Sequence, residues 1–233
     1  MTEAEAYDIQ DVLHRRLADA GFGSVAGYKI GCTTPVMQRF IGIRQPCAGA
    51  ILAETVRHGE GRYELGDYRR PGVECEIAVV LGSPLGPEDA PYDRRTTGDA
   101  VAAVAAAIEL VDDRYDDFRA FDAPTLIADD FFGAGCVLAP RVEDWRALDL
   151  ARLEGEMRVN GRSLGTGVGA DVLGHPLEAL VWLANMQAAR GRTMPAGAIV
   201  LLGSLVQTYW IEGPGDHVEV AIDGLGRARA LFN

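Results

Sequence analysis

Acidic side chains interrupt two apolar segments of the sequence. Glu74 and Glu76 alternate with apolar residues in the segment 73–81, and Glu109 stands alone in the segment 107–111. Because side chains alternate between the two faces of a strand, Glu74 and Glu76 are predicted to point the same way. Neighbouring carboxylates repel each other unless a cation lies between them, and buried ones need a partner. Three carboxylates on core strands therefore predict a site for a hard divalent cation with oxygen ligands.

An exposed edge strand offers a second interpretation of the same pattern. Solvated glutamates at alternate positions of such a strand need no cation, and Glu-x-Glu is a common pattern. The residues alone leave both interpretations open for Glu74 and Glu76. The position of Glu109 inside a second apolar segment favours the metal site.

Lys29 is the only lysine of the chain and lies between glycines in the segment 27–31. Pointing into a cleft, it would offer a cation to a carboxylate or to a developing oxyanion. The commoner alternative is a lysine at a strand end, whose stem covers apolar surface while its ammonium group stays in water.

Two weaker polar signals accompany these residues. Gly203, Ser204 and Leu205 follow an apolar strand, so backbone N–H groups and a hydroxyl can face an anion there, although an ordinary turn fits equally well. Asp129 and Asp130 can supply a general base or simply form a turn. The four histidines form no visible constellation.

Composition limits the class of protein. The chain has 233 residues and a net charge of −12, so nucleic acid and anionic membranes are poor partners. No apolar run approaches the ~20 residues of a membrane span, and the acidic N-terminus does not resemble a signal peptide. The expected location is the cytoplasm, where the four scattered cysteines stay free thiols and zinc binding is not expected.

Hydrophobic periodicity predicts more strands than helices. Helical patterns cover residues 3–20, 35–40, 99–107 and 175–190. Strand patterns cover residues 25–30, 49–53, 74–81, 108–112, 134–138, 154–160, 199–202, 217–222 and 227–232. Because strands and helices do not alternate regularly, an α+β or mostly-β roll is favoured over a doubly wound parallel sheet.

Taken together and in order, these segments resemble the fumarylacetoacetate hydrolase superfamily, in particular its hydratase/decarboxylase branch. The similarity runs from Ala6 nearly to Phe232. Its marks are Ala6-Tyr7-Asp8-Ile9-Gln10, Lys29-Ile30-Gly31, Thr34-Pro35-Val36-Met37-Gln38, Gln45-Pro46, Glu74-Cys75-Glu76-Ile77-Ala78, Ala107-Ile108-Glu109-Leu110-Val111-Asp112, Val172-Leu173-Gly174-His175-Pro176-Leu177, Leu183-Ala184-Asn185, Ile199-Val200-Leu201 and Gly203-Ser204-Leu205.

The resemblance implies a fold and roles for particular residues. The fold is the family's mixed β-roll with flanking helices, as a single catalytic domain over 1–233 with a short helical N-terminal segment, 1–22, packed on the roll. Glu74, Glu76 and Glu109 match the family's ligands for Mg²⁺ or Mn²⁺, and Lys29 matches an active-site lysine. Ser204, between Gly203 and Leu205, matches the residue that helps to hold the substrate carboxylate. A homo-oligomer, a dimer or larger, is also implied.

The implied activity is that of a metal-dependent lyase for a small 2-oxo acid. Such an enzyme hydrates a 2-hydroxydienoate or decarboxylates a 2-oxo acid through a metal-stabilised enolate, with a role in aromatic catabolism. The alternatives are a carbon–carbon hydrolase of acylpyruvate type and a degenerate, non-catalytic member. The hydrolase is less favoured because residues 33–47 contain neither of its usual water-activating residues, His and Glu.

Two departures from the branch concern proton transfer. Cys47 follows Gln45-Pro46, where hydratases usually have aspartate, and Asp129-Asp130-Phe131-Phe132 replaces Asp-Asn followed by small residues. Cys47, Asp129 and Asp130 are therefore the candidate acid/base groups beside Lys29. A thiol with an ordinary pKa of about 8.5 is a poor substitute for a carboxylate base at neutral pH.

Overall fold

Two β-sheets, of seven and five strands, organise the chain. The computed structural model describes the backbone of residues 1–233 and the side chains of all of them except Pro35, Val36 and Phe40. The helices are α1 (Glu3–Leu17), α2 (Pro35–Ile41), α3 (Arg94–Ala100), α4 (Ala123–Ala128) and α5 (Pro176–Ala189). The strands are β1 (Val25–Gly31), β2 (Cys47–Leu52), β3 (Val56–His58), β4 (Glu60–Tyr63), β5 (Pro71–Leu81), β6 (Val101–Asp112), β7 (Gly133–Leu138), β8 (Glu154–Val159), β9 (Arg162–Val168), β10 (Ile199–Trp210), β11 (His217–Ile222) and β12 (Gly226–Phe232).

Both sheets are mixed. The larger has the strand order β2-β1-β10-β5-β6-β7-β3 and the smaller the order β4-β12-β11-β8-β9. The pairs β1/β10, β3/β7 and β4/β12 are parallel, whereas the remaining neighbours are antiparallel. The predicted α+β class with a mixed roll and flanking helices is confirmed, and a doubly wound parallel sheet is excluded.

Strand β5 lies in the middle of the larger sheet, between β10 and β6. All of its residues are buried except the half-buried Glu74. The alternative of an exposed edge strand with solvated glutamates is therefore wrong for this segment. The core is formed around β5, β6 and β10, because their apolar side chains cover both faces of the sheet.

The predicted helix over residues 99–107 is wrong. Helix α3 ends at Ala100, and the alanine-rich segment that follows is the first half of strand β6. Alanine favours helices in isolation, but β6 pairs with β5 along nearly its whole length. Small side chains such as Ala105, Ala106 and Ala107 are almost completely buried, so they allow neighbouring layers to approach closely on both faces. Tertiary packing thus outweighs the local propensity.

The other helical patterns are confirmed within a few residues. Helix α5 spans Pro176–Ala189, and His175 caps it by accepting a hydrogen bond from the Leu177 N–H at 3.1 Å. Helix α1 ends at Leu17 and is followed directly by a π-helical turn, Ala18–Phe22. Among the helices that the structure describes, none combines the length and apolar character needed to cross a bilayer.

Helix α1 is bound to the larger sheet by buried hydrogen bonds. Gln10 donates from Nε2 to the carbonyls of Ala48, at 2.9 Å, and Ile127, at 2.7 Å. The Tyr7 hydroxyl accepts from the Ala48 N–H at 3.1 Å. These bonds attach α1 to β2 and α4, and they place its last turn beside the loop that follows α4.

Candidate metal centre

The three glutamates converge on one point of the larger sheet. Glu74 and Glu76 lie on the same face of β5, and Glu109 on β6 is directly opposite Glu74 in the antiparallel register. A carboxylate oxygen from each residue lies within 4.8 Å of the other two. Glu76 and Glu109 are 0% and 2% exposed. The geometry joins residues about 35 positions apart into one acidic cluster.

Burial makes this cluster unfavourable without a cation. Burial, followed by the charge of Glu109, raises the pKa of Glu74 to about 7. Burial and the charges of Glu109 and Glu74 raise the pKa of Glu76 well above its ordinary range. Like charges this close in a water-poor site disfavour the ionised forms of Glu74 and Glu76, so a positive ion between the carboxylates would relieve both effects.

The donor set fits a hard divalent ion. Glu76 accepts a hydrogen bond from the Gly203 N–H through Oε2 at 2.8 Å. Its other oxygen, Oε1, is buried and has no hydrogen-bond partner among the described residues. A buried carboxylate oxygen without a donor needs an explanation. Carboxylate oxygens without sulfur or imidazole suit Mg²⁺, Mn²⁺ or Ca²⁺ rather than softer metals.

Lys29 stands beside the acidic cluster, 4% exposed, on β1. Its Nζ lies 2.8 Å from Glu109 Oε1 and donates to the Phe131 carbonyl at 2.7 Å. Burial alone would lower the pKa of Lys29, but the charge and hydrogen bond of Glu109 outweigh burial and raise it. The side chain therefore carries a positive charge inside the site, and the alternative of a solvent-facing lysine is excluded by its burial.

Irregularities in β10, which lies between β1 and β5, also shape the site. The pairing of β10 with β5 shifts register between Leu201 and Ser204 and again after Ser204, and bulges of this kind commonly re-aim side chains next to active sites. Gly203 has φ +118°, and a Cβ there would lie 2.4 Å from Thr33 Oγ1. A glycine is thus required where the backbone N–H turns towards Glu76.

Ser204 and Leu205 line the same cavity as Glu74 and Glu109, whereas the fully buried Glu76 is not among its described lining residues. The Ser204 hydroxyl donates to the Val206 carbonyl at 2.6 Å. The cavity has a volume of about 510 Å³, within the usual range of small-molecule sites. Its described lining residues include Lys29, Cys32, Thr33, Thr34, Met37, Ile41, Glu74, Glu109, Val111, Phe118, Phe131, Phe132, Asp171, Ser204, Leu205, Val206, Gln207, Thr208 and Trp210.

Sequence reasoning missed several of these residues. Thr208 donates from Oγ1 to Glu74 Oε1, and its spacing of four from Ser204 along β10 was the available signal. Asp171 reaches the cavity from the loop before α5 and accepts a hydrogen bond from the Val168 N–H at 2.8 Å. No local pattern marks Asp171 as a lining residue.

The structure does not bring Cys47, Asp129 and Asp130 to the cavity. Cys47 is fully buried on β2, and burial and a hydrogen bond with Cys32 raise the pKa of its thiol. Asp129 is half-exposed and pairs with Arg114, Oδ2 to Nη2, at 3.0 Å. None of the three is among the described residues that line the cavity.

Asp130 instead supports a strained turn. Its Oδ1 lies 2.6 Å from His14 Nε2 and accepts from the Ala50 N–H at 2.8 Å. Asp130, Phe131 and Phe132 have φ values of 62°, 45° and 65°, which non-glycine residues rarely adopt. Strain of this kind persists only where surrounding contacts hold it. Here the turn aims the Phe131 carbonyl at Lys29.

Replacing Asp130 by alanine is expected to destabilise the fold. The substitution leaves His14 and the Ala50 N–H buried without their shared acceptor, which should lower the free energy of unfolding by about 2–4 kcal/mol. Urea denaturation measures the effect. Asp129→Ala is the matched control and should cost less than about 1 kcal/mol, because its ion pair is half-exposed. Equal losses in the two variants would contradict the supporting role of Asp130.

The fold and the acidic site define the class of the protein, and sequence comparison identifies the family. The chain belongs to the fumarylacetoacetate hydrolase family, since residues 52–232 match the model described as fumarylacetoacetate (FAA) hydrolase C-terminal. The resemblance inferred from the motifs is confirmed.

Individual relatives cover nearly the whole chain. A 4-oxalocrotonate decarboxylase of Pseudomonas putida is 33% identical over 100% of this chain and 86% of its own length. A 2-keto-4-pentenoate hydratase of Burkholderia vietnamiensis is 36% identical over 97% of this chain and 85% of its own length. The solved 4-oxalocrotonate decarboxylase from Pseudomonas putida G7, complexed with magnesium and adipate, superposes with a TM-score of 0.93 at 30% identity, over 100% of this chain and 87% of that chain.

Proposed function

We propose that this chain is a divalent-metal-dependent lyase that acts on a small 2-oxo acid, either as a 2-hydroxydienoate or 2-oxoalkenoate hydratase or as a 2-oxo-acid decarboxylase. The observation that carries the proposal is the buried cluster of Glu74, Glu76 and Glu109 beside the charged Lys29. Relatives of similar length that are named as hydratases and decarboxylases support it.

Glu74, Glu76 and Glu109 would hold Mg²⁺ or Mn²⁺. The bound ion would act as a Lewis acid that stabilises negative charge on the keto oxygen of a 2-oxo acid. Thr208 fixes the orientation of Glu74, and the Gly203 N–H fixes that of Glu76. Such outer hydrogen bonds commonly orient metal ligands, so these two groups keep the carboxylates converged.

Lys29 would stabilise the enolate from the protein side. Its ammonium group is held by Glu109 and the Phe131 carbonyl, so it is oriented before the substrate arrives. Preorganised charge of this kind, in a site that excludes water, favours a developing oxyanion. Glu109 raises the pKa of Lys29 in spite of burial, which is consistent with a role as an electrostatic stabiliser.

Ser204 would bind the substrate carboxylate. Ser204 lines the cavity and lies directly opposite Glu76 in the register of β10 and β5. If the Ser204 hydroxyl rotated away from the Val206 carbonyl, it would donate a hydrogen bond to the negatively charged carboxylate of the substrate.

Ser204→Ala is expected to raise KM about 10–100-fold, the equivalent of one hydrogen bond to a charged group. Mg²⁺ affinity should stay unchanged because Ser204 makes no bond to the three carboxylates. Steady-state kinetics and calorimetric Mg²⁺ titration measure the two quantities. Ser163→Ala, an exposed serine on β9, is the control. A parallel loss of Mg²⁺ affinity would speak against a role confined to the substrate.

Hydration and decarboxylation both proceed through a metal-stabilised enolate, so the acidic cluster is compatible with either reaction. A carbon–carbon hydrolase of acylpyruvate type remains the alternative. It needs a group that activates water, and no histidine is among the described residues that line the cavity. The relatives that are named as hydratases and decarboxylases favour the lyase over the hydrolase.

The activity can be tested on three substrates after removal and return of the metal. The chain is treated with EDTA, reloaded with Mg²⁺ and offered 2-hydroxypenta-2,4-dienoate, 4-oxalocrotonate and an acylpyruvate. Metal-dependent loss of the dienoate absorbance or release of CO₂ is expected. Cleavage of the acylpyruvate alone would replace the lyase by the hydrolase, and no turnover with intact Mg²⁺ binding would favour a non-catalytic member.

We also propose a homo-oligomer, a dimer or larger, that works in the cytoplasm in aromatic catabolism. The family resemblance supports the assembly, and α1 offers apolar surface for it, with Ile9 and Val12 49% and 40% exposed. Light scattering after gel filtration tests it, and a monomeric mass would overturn it.

A further inference from the structure

A row of aromatic rings extends along the cavity from Lys29. The Phe131 ring centroid lies 5.3 Å from Lys29 Nζ. Phe132 follows, 5.4 Å from Phe131, and Phe118 lies 5.4 Å from Phe132, both in edge-to-face geometry. All three rings line the cavity. The row gives a continuous apolar wall that begins at the site of the proposed chemistry.

The neighbouring turn holds this wall in place. Phe131 and Phe132 belong to the strained turn that Asp130 fixes through His14 and the Ala50 N–H. Tyr115, which is not among the described lining residues, packs edge-to-face on Phe132, with centroids 6.0 Å apart. Rings held by both their backbone and their neighbours are preformed, which reduces the entropy lost when a ligand packs on them.

The charges of the cavity oppose a second carboxylate on the substrate. Lys29 is the one cation among the described lining residues, and Glu109 already engages it. Asp171, an exposed acid, lines the same cavity. Arg70, the cation stacked on Trp210 at 4.8 Å, lies 3.4 Å from the Asp113 carboxylate. A second carboxylate would lose its hydration against ring faces that carry negative partial charge.

The cavity is also larger than the reacting group requires. Its 510 Å³ corresponds to roughly 17 water molecules at their liquid volume. Met37, Ile41 and Val111 add further apolar surface to its lining. Space beyond the 2-oxo acid head group is therefore available and mostly apolar.

We propose that this cavity selects a 2-oxo acid with a single carboxylate and a bulky apolar tail, an aromatic or branched alkyl group that packs on Phe131, Phe132 and Phe118. The inference rests on the proposed function, because it takes the carboxylate and keto group to lie at the acidic cluster. It sets this chain apart from a binder of dicarboxylates such as the adipate held by the solved relative.

Calorimetry on the Mg²⁺-loaded protein tests the proposal with three saturated 2-oxo acids, namely pyruvate, 2-oxo-4-phenylbutanoate and 2-oxoadipate. The phenyl compound is expected to bind at least about tenfold more tightly than pyruvate, because its ring is buried on the wall. 2-Oxoadipate should bind no more tightly than pyruvate. Tighter binding of 2-oxoadipate than of pyruvate, or equal affinities for pyruvate and the phenyl compound, would overturn the proposed preference for an apolar tail. Neither result would contradict the proposed lyase function.

Variants locate the effect on the wall. Phe118→Ala and, independently, Phe132→Leu should bring the ratio of the phenyl compound's affinity to that of pyruvate towards one. Phe121→Ala is the matched control, since Phe121 is 46% exposed and packs against Tyr115 at a tilt but is not among the described lining residues. An unchanged ratio in both wall variants would overturn the proposal. Failure of all three 2-oxo acids to bind the Mg²⁺-loaded protein would instead overturn the proposed lyase function, and the tail preference with it.

Discussion

Glu76→Ala is expected to abolish Mg²⁺ binding and to reduce turnover at least about 10³-fold while the chain still folds. Glu76 is fully buried, and its Oε1 has no hydrogen-bond partner among the described residues. Removing one of three carboxylates takes away a ligand that no neighbouring side chain replaces, and Lewis-acid stabilisation is worth several kcal/mol, each 1.4 kcal/mol being a factor of ten.

Stability should change little in this variant. The Gly203 N–H loses its acceptor, which costs about 1–3 kcal/mol. The loss is offset because a buried carboxylate with a strongly raised pKa is removed from beside Glu74 and Glu109. Circular dichroism on melting measures the fold, and Mg²⁺ titration measures the site.

Two further variants serve as comparisons for Glu76→Ala. Glu76→Gln keeps an acceptor for the Gly203 N–H but lacks the charge, so it should lose the metal with still less effect on stability. Glu219→Ala removes a glutamate of the smaller sheet that pairs with Arg227 and Arg229, and it should bind Mg²⁺ normally. Full turnover by Glu76→Ala would refute the metal centre.

Lys29→Met is expected to separate catalysis from metal binding. Loss of a preorganised charge beside the reacting oxygen should lower kcat about 10²–10³-fold. Mg²⁺ affinity should rise, because Lys29 Nζ lies 2.8 Å from Glu109 Oε1 and competes with the ion for that carboxylate. Opposite changes in the two quantities are characteristic of an electrostatic stabiliser that is not a ligand.

Kinetics at saturating Mg²⁺ and calorimetric titration measure this separation. Lys29→Arg keeps the positive charge but not the compact ammonium geometry, so its Mg²⁺ affinity should stay nearer to the wild-type value. The space around the side chain at position 29 is limited, because a Cβ at Gly49 would already lie 3.1 Å from Lys29 Cδ. A fall of kcat and Mg²⁺ affinity together in Lys29→Met would show that the lysine mainly supports the carboxylates.

The acidic cluster was predictable because its signal is local. Strand parity places Glu74 and Glu76 on one face whatever the sheet around them, and the apolar neighbours of Glu109 indicate burial. The ordered motifs then identified the family. Strand parity alone did not decide whether the segment with Glu74 and Glu76 is a core strand or an edge strand. The position of β5 between β10 and β6 shows that it is a core strand.

The roles of Asp130 and the alanine-rich segment depend on partners that are distant in sequence. Asp130 is a residue type that can act as a catalytic acid. In the structure its carboxylate instead bonds to His14 and to the Ala50 N–H, which lie 116 and 80 residues away in the sequence. Residues 101–107 have the composition of a helix, but pairing with β5 makes them a strand. Propensity and periodicity report on neighbours along the chain, whereas burial and hydrogen bonding depend on neighbours in space. Strand parity therefore determined that Glu74 and Glu76 share a face, and the ordered motifs determined the family, whereas tertiary contacts alone decided which acids reach the cavity and which rings form its wall.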